Sequence, residues 1–406
     1  MNNPVSGVED NPSGYFSMPG LNARPDAENA RFFYASSQGC IQASGIAEAI
    51  EVPVGTAPAQ RTQFLRAVDS ALNRARAYGQ KRPLVMGCIP FDRSQPAALF
   101  VPRESEFLTT PPALSAAAEN VKARVLACES IPGEQRFRQS VEQAVANFRL
   151  SDIRKTVLSR VLHVSTDRPL DAGAVFQRLR AQNPSGYHFR FPLADGSELI
   201  GASPELLLRK QGRRIMSNPL AGSARRRADA QEDREVSEQL LRSAKDTYEH
   251  KLVIDDIRQV LSPWCQELDI PAAPSLISTP AMWHLSTCIH GQVAEAEMNP
   301  LKIATELHPT PAVCGFPTAQ AHKLIQLIEP YERGPFAGMV GWCDGDGNGE
   351  WVVTIRCGRI FANQIQIFAG AGIVADSSPE SEWAETRAKM QTMLNALDAD
   401  FSGVTL

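Results

Sequence analysis

The stretch Tyr187–Leu208, YHFRFPLADGSELIGASPELLL, decides the fold class. It reads as two strands, Tyr187–Leu193 and Ser197–Leu208, joined across Ala194-Asp195-Gly196. An Asp-Gly pair between such runs is a hairpin signal, because both residues accept the dihedrals of a tight reversal. A third strand follows the Gln211-Gly212 turn.

Outward from this hairpin the same economy recurs. Lys155–Val164 is rich in β-branched residues and reads as a strand. Gln135–Leu150 reads as a helix with Phe137, Val141, Val145 and Phe148 on one face. Arg227–Leu261 carries one long helical pattern. Met339–Trp342, Glu350–Cys357 and Ile360–Ala369 form a strand meander with glycine-bearing turns. Pro379 to about Leu397 is a last helix, with Ser378 as its cap and Pro379 in its first turn. Towards the N-terminus, strands are predicted at Arg31–Ala35, Pro83–Ile89 and Ala97–Val101, and a helix at Arg61–Tyr78. Leu108–Pro132 reads as a connector, and residues 1–30 as a flexible tail. Hairpins beside long helices, without alternating β-α units, predict an α/β chain of the α+β type, antiparallel sheets covered by helices.

The chain-wide balance excludes several partners. With 41 basic against 45 acidic residues in 406, there is no electrostatic reason to expect nucleic acid. No apolar stretch approaches the roughly 20 residues a membrane helix needs, and the first ten residues do not read as a secretory signal. The 8 cysteines are scattered and form no C-x-x-C pair, which points to reduced thiols in a cytoplasmic protein.

Some residues fit a plain core badly. Lys155 shares a strand face with Val157 and Val161, where loss of water disfavours the charged amine; a strand-end lysine reaching to solvent is the other reading. Glu205 enters a run of three leucines, where desolvation favours its protonated form, unless it is a solvated turn residue after Pro204. Glu382, Glu385 and Lys389 share one face of the last helix. Two carboxylates aimed into a cleft repel unless a cation joins them, but a solvated face with a Glu385–Lys389 pair has the same spacing. Glu249, followed by Leu252 and Val253, also turns towards packed structure. Three such Glu on two helices can hold one hard cation, and Mg²⁺ suits them better than Zn²⁺ because His and Cys are not clustered with them. His284 is either a pocket residue or a buried structural histidine. Gly222-Ser223 and Gly370-Ala371-Gly372 read as small-residue bends at strand ends, and Arg356 as an inward-facing residue within a strand that needs an anion.

In order along residues 130 to 395 stand Lys155-Thr-Val-Leu-Ser-Arg160, Gly201-Ala-Ser-Pro-Glu-Leu206, Pro219-Leu-Ala-Gly-Ser-Ala-Arg225, Glu249-His250, Met282-Trp-His-Leu-Ser286, Leu307-His-Pro-Thr-Pro-Ala312, Thr354-Ile-Arg-Cys357, Ala369-Gly-Ala-Gly-Ile373 and Ser378-Pro-Glu-Ser-Glu-Trp-Ala-Glu385. In these motifs the chain resembles the chorismate-utilising enzymes, most of all the isochorismate synthases of siderophore pathways. The first 130 residues match only loosely.

The resemblance implies one large domain over residues 31–406, an N-terminal part 31–130 and a catalytic part 131–400, built as two stacked antiparallel β-sheets flanked by helices. It implies that Lys155 activates the water that attacks C2 of chorismate and that Glu205 protonates the departing C4 hydroxyl. Glu249 and Glu385 are expected to hold Mg²⁺, with Glu382 contributing directly or through water. Gly222, Ser223, Gly370 and Lys389 are expected around the ring carboxylate, Arg356 at the enolpyruvyl carboxylate, and His284 beside the ring. The family also implies a monomer.

A few positions choose among relatives. Ala221 stands where aminodeoxychorismate synthases place a nucleophilic lysine, and an alanine forms no adduct. Lys155 stands where anthranilate synthases carry a residue that does not activate water. Ala312, Val313 and Phe336 lack hydroxyls that salicylate synthases tend to carry there, which favours isochorismate as the final product. A salicylate synthase, an amidotransferase-dependent aminating enzyme and a protein that only binds a small carboxylate are the alternatives.

Overall fold

The computed structural model describes residues 26–114 and 122–404. Of the tail expected over residues 1–30, residues 1–25 lie outside the described ones, while the Ala27 carbonyl accepts a hydrogen bond from the Ile46 N–H at 2.7 Å. Of the expected connector, residues 115–121 lie outside them, but Val125–Ile131 is a strand paired antiparallel with Lys155–Thr166. Its mixed residues draw their order from that partner, which a local reading does not see.

Among the described residues, hydrogen bonds join seventeen strands into one network, and Leu220–Arg225, Ser275–Ser278 and Met282–Ser286 form a separate three-stranded sheet. The ladders are antiparallel, as the Asp-Gly hairpin predicts, with Tyr187 opposite Ser203 and Pro192 opposite Glu198. A network this large does not stay flat. Strands Leu84–Ile89 and Tyr187–Pro192 share no hydrogen bonds yet lie against each other, and the Phe32 ring sits 5.6 Å from Phe100 and 6.2 Å from Phe191. Helices cover the outside. Pro58–Ala77 buries Phe64, Val68, Ala71, Leu72 and Ala75. Ala244–Leu261 buries Val253, Ile254, Ile257 and Leu261. Pro379–Leu397 buries Met390, Met393, Ala396 and Leu397. Each large apolar side chain so buried contributes roughly 2 kcal/mol.

Three further elements differ from the sequence reading. The run Ser197–Leu208 is two strands, Glu198–Ser203 and Leu206–Gln211, broken at Pro204-Glu205. Pro204 has no N–H to give a ladder, and the Glu205 N–H turns to Ser203 Oγ at 3.2 Å. The long helix is two, Ala230–Arg242 and Ala244–Leu261, divided at Ser243, whose hydroxyl caps the second by accepting from the Asp246 N–H. Arg356 is not inside a strand: it lies between Gly349–Val353 and Cys357–Phe361 in the left-handed region at φ 51°.

Candidate active site

Lys155 opens the strand Lys155–Thr166, which Gln364–Ile373 accompanies from Ser165 to Thr156. Its side chain is fully buried, and Nζ lies 2.9 Å from Glu249 Oε1. Glu249 reaches the sheet from the helix Ala244–Leu261 because Gly372 leaves room. A Cβ on Gly372 would stand 2.1 Å from Glu249 Oε1 and 3.1 Å from Lys155 Cε. Gly370 and Gly372 are therefore not strand-end bends, as read from sequence, but gaps in one face of a continuous strand. Burial pushes the Glu249 carboxyl up, but Lys155, then Lys245 and Lys389, more than offset this and hold it below its ordinary value.

Glu205 sits in the break between two strands, its carbonyl accepting from the Val353 N–H at 3.1 Å. Its buried carboxylate receives one backbone donor, the Leu220 N–H at 3.3 Å, and among the described residues no basic side chain is within ion-pair distance. Burial pushes it up to about 7, against the pull of Lys155, Arg356 and Lys389. A carboxyl so placed keeps its proton near neutrality.

Arg356 combines a buried guanidinium with a left-handed backbone, a conformation that costs of order 1–3 kcal/mol and clusters at functional sites. Burial lowers it to about 10, so it is charged at neutral pH. Its Nη2 lies 3.4 Å from His284 Nε2, and His284 Nδ1 lies 2.8 Å from Ser223 Oγ. A guanidinium only donates, so Nε2 accepts and Nδ1 carries the hydrogen towards Ser223. Burial, then Arg356 and Lys389, hold His284 well below the usual imidazole range, in keeping with a neutral ring. Ser223 faces His284 across the ladder of the small sheet, just past an irregularity at which Gly222 takes φ 79°. The pair Gly222-Ser223 is thus inside a strand, not at its end.

The last helix supplies the remaining carboxylates. Glu382 is buried, with Lys245 Nζ at 2.9 Å, and burial followed by the nearby Glu385 pushes it up to about 7. Glu385 pairs with Lys389 at 2.6 Å, and Lys389 Nζ also donates to the Gly370 carbonyl at 2.9 Å. The i,i+4 pair of the plainer reading exists, but it lines a cavity instead of facing bulk water. Among the described residues no group of three His, Cys, Asp or Glu side chains is arranged to hold a metal ion. Glu249, Glu382 and Glu385 are instead each met by an ammonium. Chemically they fit a hard cation: the donors are all oxygen, and the mutual repulsion that raises Glu382 is the kind a cation relieves.

One cavity gathers Glu205, Gly222, Ser223, Glu249, His284, Ala312, Val313, Phe336, Arg356, Gly370, Glu385 and Lys389. Lys155 meets it through Glu249, and Glu382 stands behind Lys245. Phe336 stacks on Phe368 at 5.2 Å and closes one side with Val313. The free volume of this cavity is about 60 Å³. Lys245, Gly372 and Phe368 belong to the site but were not among the residues singled out from sequence as ligands. Lys245 was findable: it lies one turn before Glu249.

The chain is similar to known proteins over most of its length. A family model described as "Chorismate binding enzyme" matches residues 103–398. The isochorismate synthase EntC of Escherichia coli (strain K12) is 44% identical over 368 residues, 90% of this chain and 94% of that protein. The isochorismate synthase DhbC of Bacillus subtilis (strain 168) is 40% identical over 375 residues, 91% of this chain and 94% of that protein. A crystal structure of DhbC from Bacillus anthracis, described as a 2,3-dihydroxybenzoate-specific isochorismate synthase, superposes with a TM-score of 0.84 at 38% identity, covering 91% of this chain and 96% of that one.

Proposed function

The chain belongs to the chorismate-binding enzymes, and on that premise we propose how it works. It is an isochorismate synthase, an isomerase that converts chorismate to isochorismate. A vibriobactin-specific isochorismate synthase of Vibrio cholerae, 40% identical over 373 residues, supports a role in siderophore biosynthesis.

The observation that carries the mechanism is the unequal treatment of two buried groups at one cavity. Glu205 is a carboxyl with no ionic partner, held at about 7. Lys155 is a buried amine whose one ionic partner, Glu249, also faces Lys245 and Lys389. In our reading Lys155 takes a proton from the water that adds at C2, the ring double bonds shift, and Glu205 gives its proton to the C4 hydroxyl, which leaves as water. Water is consumed and released, so the reaction balances; the proton gained by Lys155 and lost by Glu205 is returned before the next turnover. Arg356 holds the enolpyruvyl carboxylate, and Lys389 with the Gly222-Ser223 backbone holds the ring carboxylate. Neutral His284 directs Ser223 and lies beside the ring. Glu249 and Glu385, with Glu382, would hold Mg²⁺, which when bound neutralises and orients the ring carboxylate. Val313 and Phe336 present apolar walls, which keeps isochorismate as the product. The eight unpaired cysteines support a reducing, cytoplasmic setting, no described helix is long and apolar enough to cross a membrane, and we read the enzyme as a monomer.

The test is product analysis by NMR after purified protein meets chorismate, with Mg²⁺ and with EDTA. A Mg²⁺-dependent mixture of chorismate and isochorismate is expected. Salicylate with pyruvate would overturn the product assignment, and unchanged chorismate the activity.

A further inference from the structure

A buried ion pair outside the cavity takes no part in the chemistry above. Glu329 directly follows the helix Thr318–Ile328, and Arg333 lies four residues further on, with side chains 3% and 2% exposed. Arg333 grips the carboxylate with two donors, Nε to Oε2 at 2.8 Å and Nη2 to Oε1 at 2.6 Å. A buried pair of this kind is no more stabilising than two well-packed apolar side chains, so what else it holds is informative.

Most further bonds reach the cavity wall or the strand that carries Lys155, while the guanidinium also lies 4.3 Å from the Phe91 ring. Arg333 Nη1 donates to the Val313 carbonyl at 2.9 Å, and Nη2 to the Val157 carbonyl at 2.6 Å. The Arg333 carbonyl accepts from the Phe336 N–H at 3.1 Å, and its guanidinium lies 6.0 Å from the Phe336 ring. Glu329 Oε1 accepts from the N–H and hydroxyl of Ser159, both at 2.7 Å, and Ser159 stands opposite Gly370 in the ladder. The pair therefore ties together the strand that carries Lys155, the turn that carries Val313 and the segment that carries Phe336. The Lys155 strand and the Val313 turn also share a short ladder, with Gly315 opposite Thr156 and the Val157 N–H on the Cys314 carbonyl at 2.8 Å; the ion pair adds a side-chain tie from both to the Phe336 segment.

We propose that Glu329 and Arg333 are positioning residues for the isomerisation: they set the spacing between the Lys155 strand and the Val313–Phe336 wall, and so the seating of the ring between base and acid. This rests on the reading of the cavity as the chorismate site. Neither residue touches the substrate, and the carboxylate anchors Arg356 and Lys389 are untouched by their loss. The predicted signature is a fall in kcat with KM kept.

The experiment compares wild type, the apolar double variant Glu329→Leu/Arg333→Met, and Arg333→Lys, measuring melting temperature, kcat and KM with chorismate. The double variant removes both charges together but takes these partners from the Val157 and Val313 carbonyls and the Ser159 N–H, a cost read in the melting temperature; Arg333→Lys keeps the charge but loses the fork that reaches two carbonyls and a carboxylate. Both are expected to fold, to lose about tenfold or more in kcat and to hold KM within about threefold. Folded variants with wild-type kcat overturn the proposal. So does an activity loss in both variants that tracks only the loss of folded protein. A wild type that makes no isochorismate instead defeats the reading of the cavity, and this inference with it.

Discussion

Two buried lysines lie on strands of this protein, and their surroundings differ. Lys210, in the strand Leu206–Gln211, donates to the carbonyls of Ala296 at 2.5 Å and Gly347 at 2.8 Å. Next to it Glu350 is equally well answered, by the Tyr34 hydroxyl at 3.0 Å and by Arg209. Fixed protein groups complete each charge there. Lys155 has one carboxylate, which it shares with other lysines, and Glu205 has a single backbone N–H. Burial lowers Lys210 to about 8, a large shift at a residue with no place in the chemistry. Burial of charge alone therefore does not mark a reactive group. What distinguishes the Lys155–Glu205 region is hydrogen-bonding capacity left unused beside a cavity that Glu205 lines and that Lys155 meets through Glu249.

Substitutions at each lysine test this contrast. The largest effect is expected from Lys155→Ala and Glu205→Gln, each lowering kcat by roughly 10²–10⁴-fold with the circular dichroism spectrum unchanged. Lys245 and Lys389 still offset the Glu249 charge when Lys155 is gone. Substantial residual turnover in either variant removes the acid–base assignment.

Next comes pH. The Glu205 carboxyl, ordinarily at 4.5 and about 7 when folded, binds its proton more tightly in the native state. Its contribution to stability is present below pH 4.5 and is lost as pH rises through 7, by up to about 3 kcal/mol. Glu382, also raised to about 7, acts in the same direction. Urea titrations at pH 5 and pH 8 should show this loss in wild type and a smaller one in Glu205→Gln. Equal losses in the two would mean that Glu205 is not held protonated.

The smallest effect on activity is expected from Lys210→Met. It leaves the Ala296 and Gly347 carbonyls unpaired and costs about 1–3 kcal/mol in stability, while kcat stays within about twofold. A large fall in kcat would erase the distinction between the two lysines.

Where the sequence could be read, local chemistry was enough. Ser378 and Pro379 announce the last helix, observed as Pro379–Leu397, and Asp195-Gly196 announces the hairpin. The antiparallel, helix-covered architecture followed from such signals. Two of the misread places are breaks in regular structure. Pro204-Glu205 interrupts what reads as one strand, and Arg356 leaves the strand region for the left-handed one. Both depend on partners distant in sequence, such as the Val353 N–H on the Glu205 carbonyl and the Ala202 N–H on that of Arg356. The division at Ser243 was legible: Ser243-Ala-Lys-Asp246 has capping-box spacing, masked by the helical pattern on both sides. Periodicity did not reveal Glu329 and Arg333, because an i,i+4 Glu–Arg pair after a helix looks like surface. Among the candidate site residues, the motifs gave the positions, while burial and pairing came only from the fold.

In the proposed mechanism Lys155 activates a water that becomes the C2 hydroxyl while Glu205 expels the one at C4. Running the wild-type reaction in ¹⁸O-water and reading the product by mass spectrometry and NMR tests it most directly. The account predicts one ¹⁸O in isochorismate, at the C2 hydroxyl. An unlabelled C2 hydroxyl would mean that the original oxygen migrates within the molecule, and would contradict it.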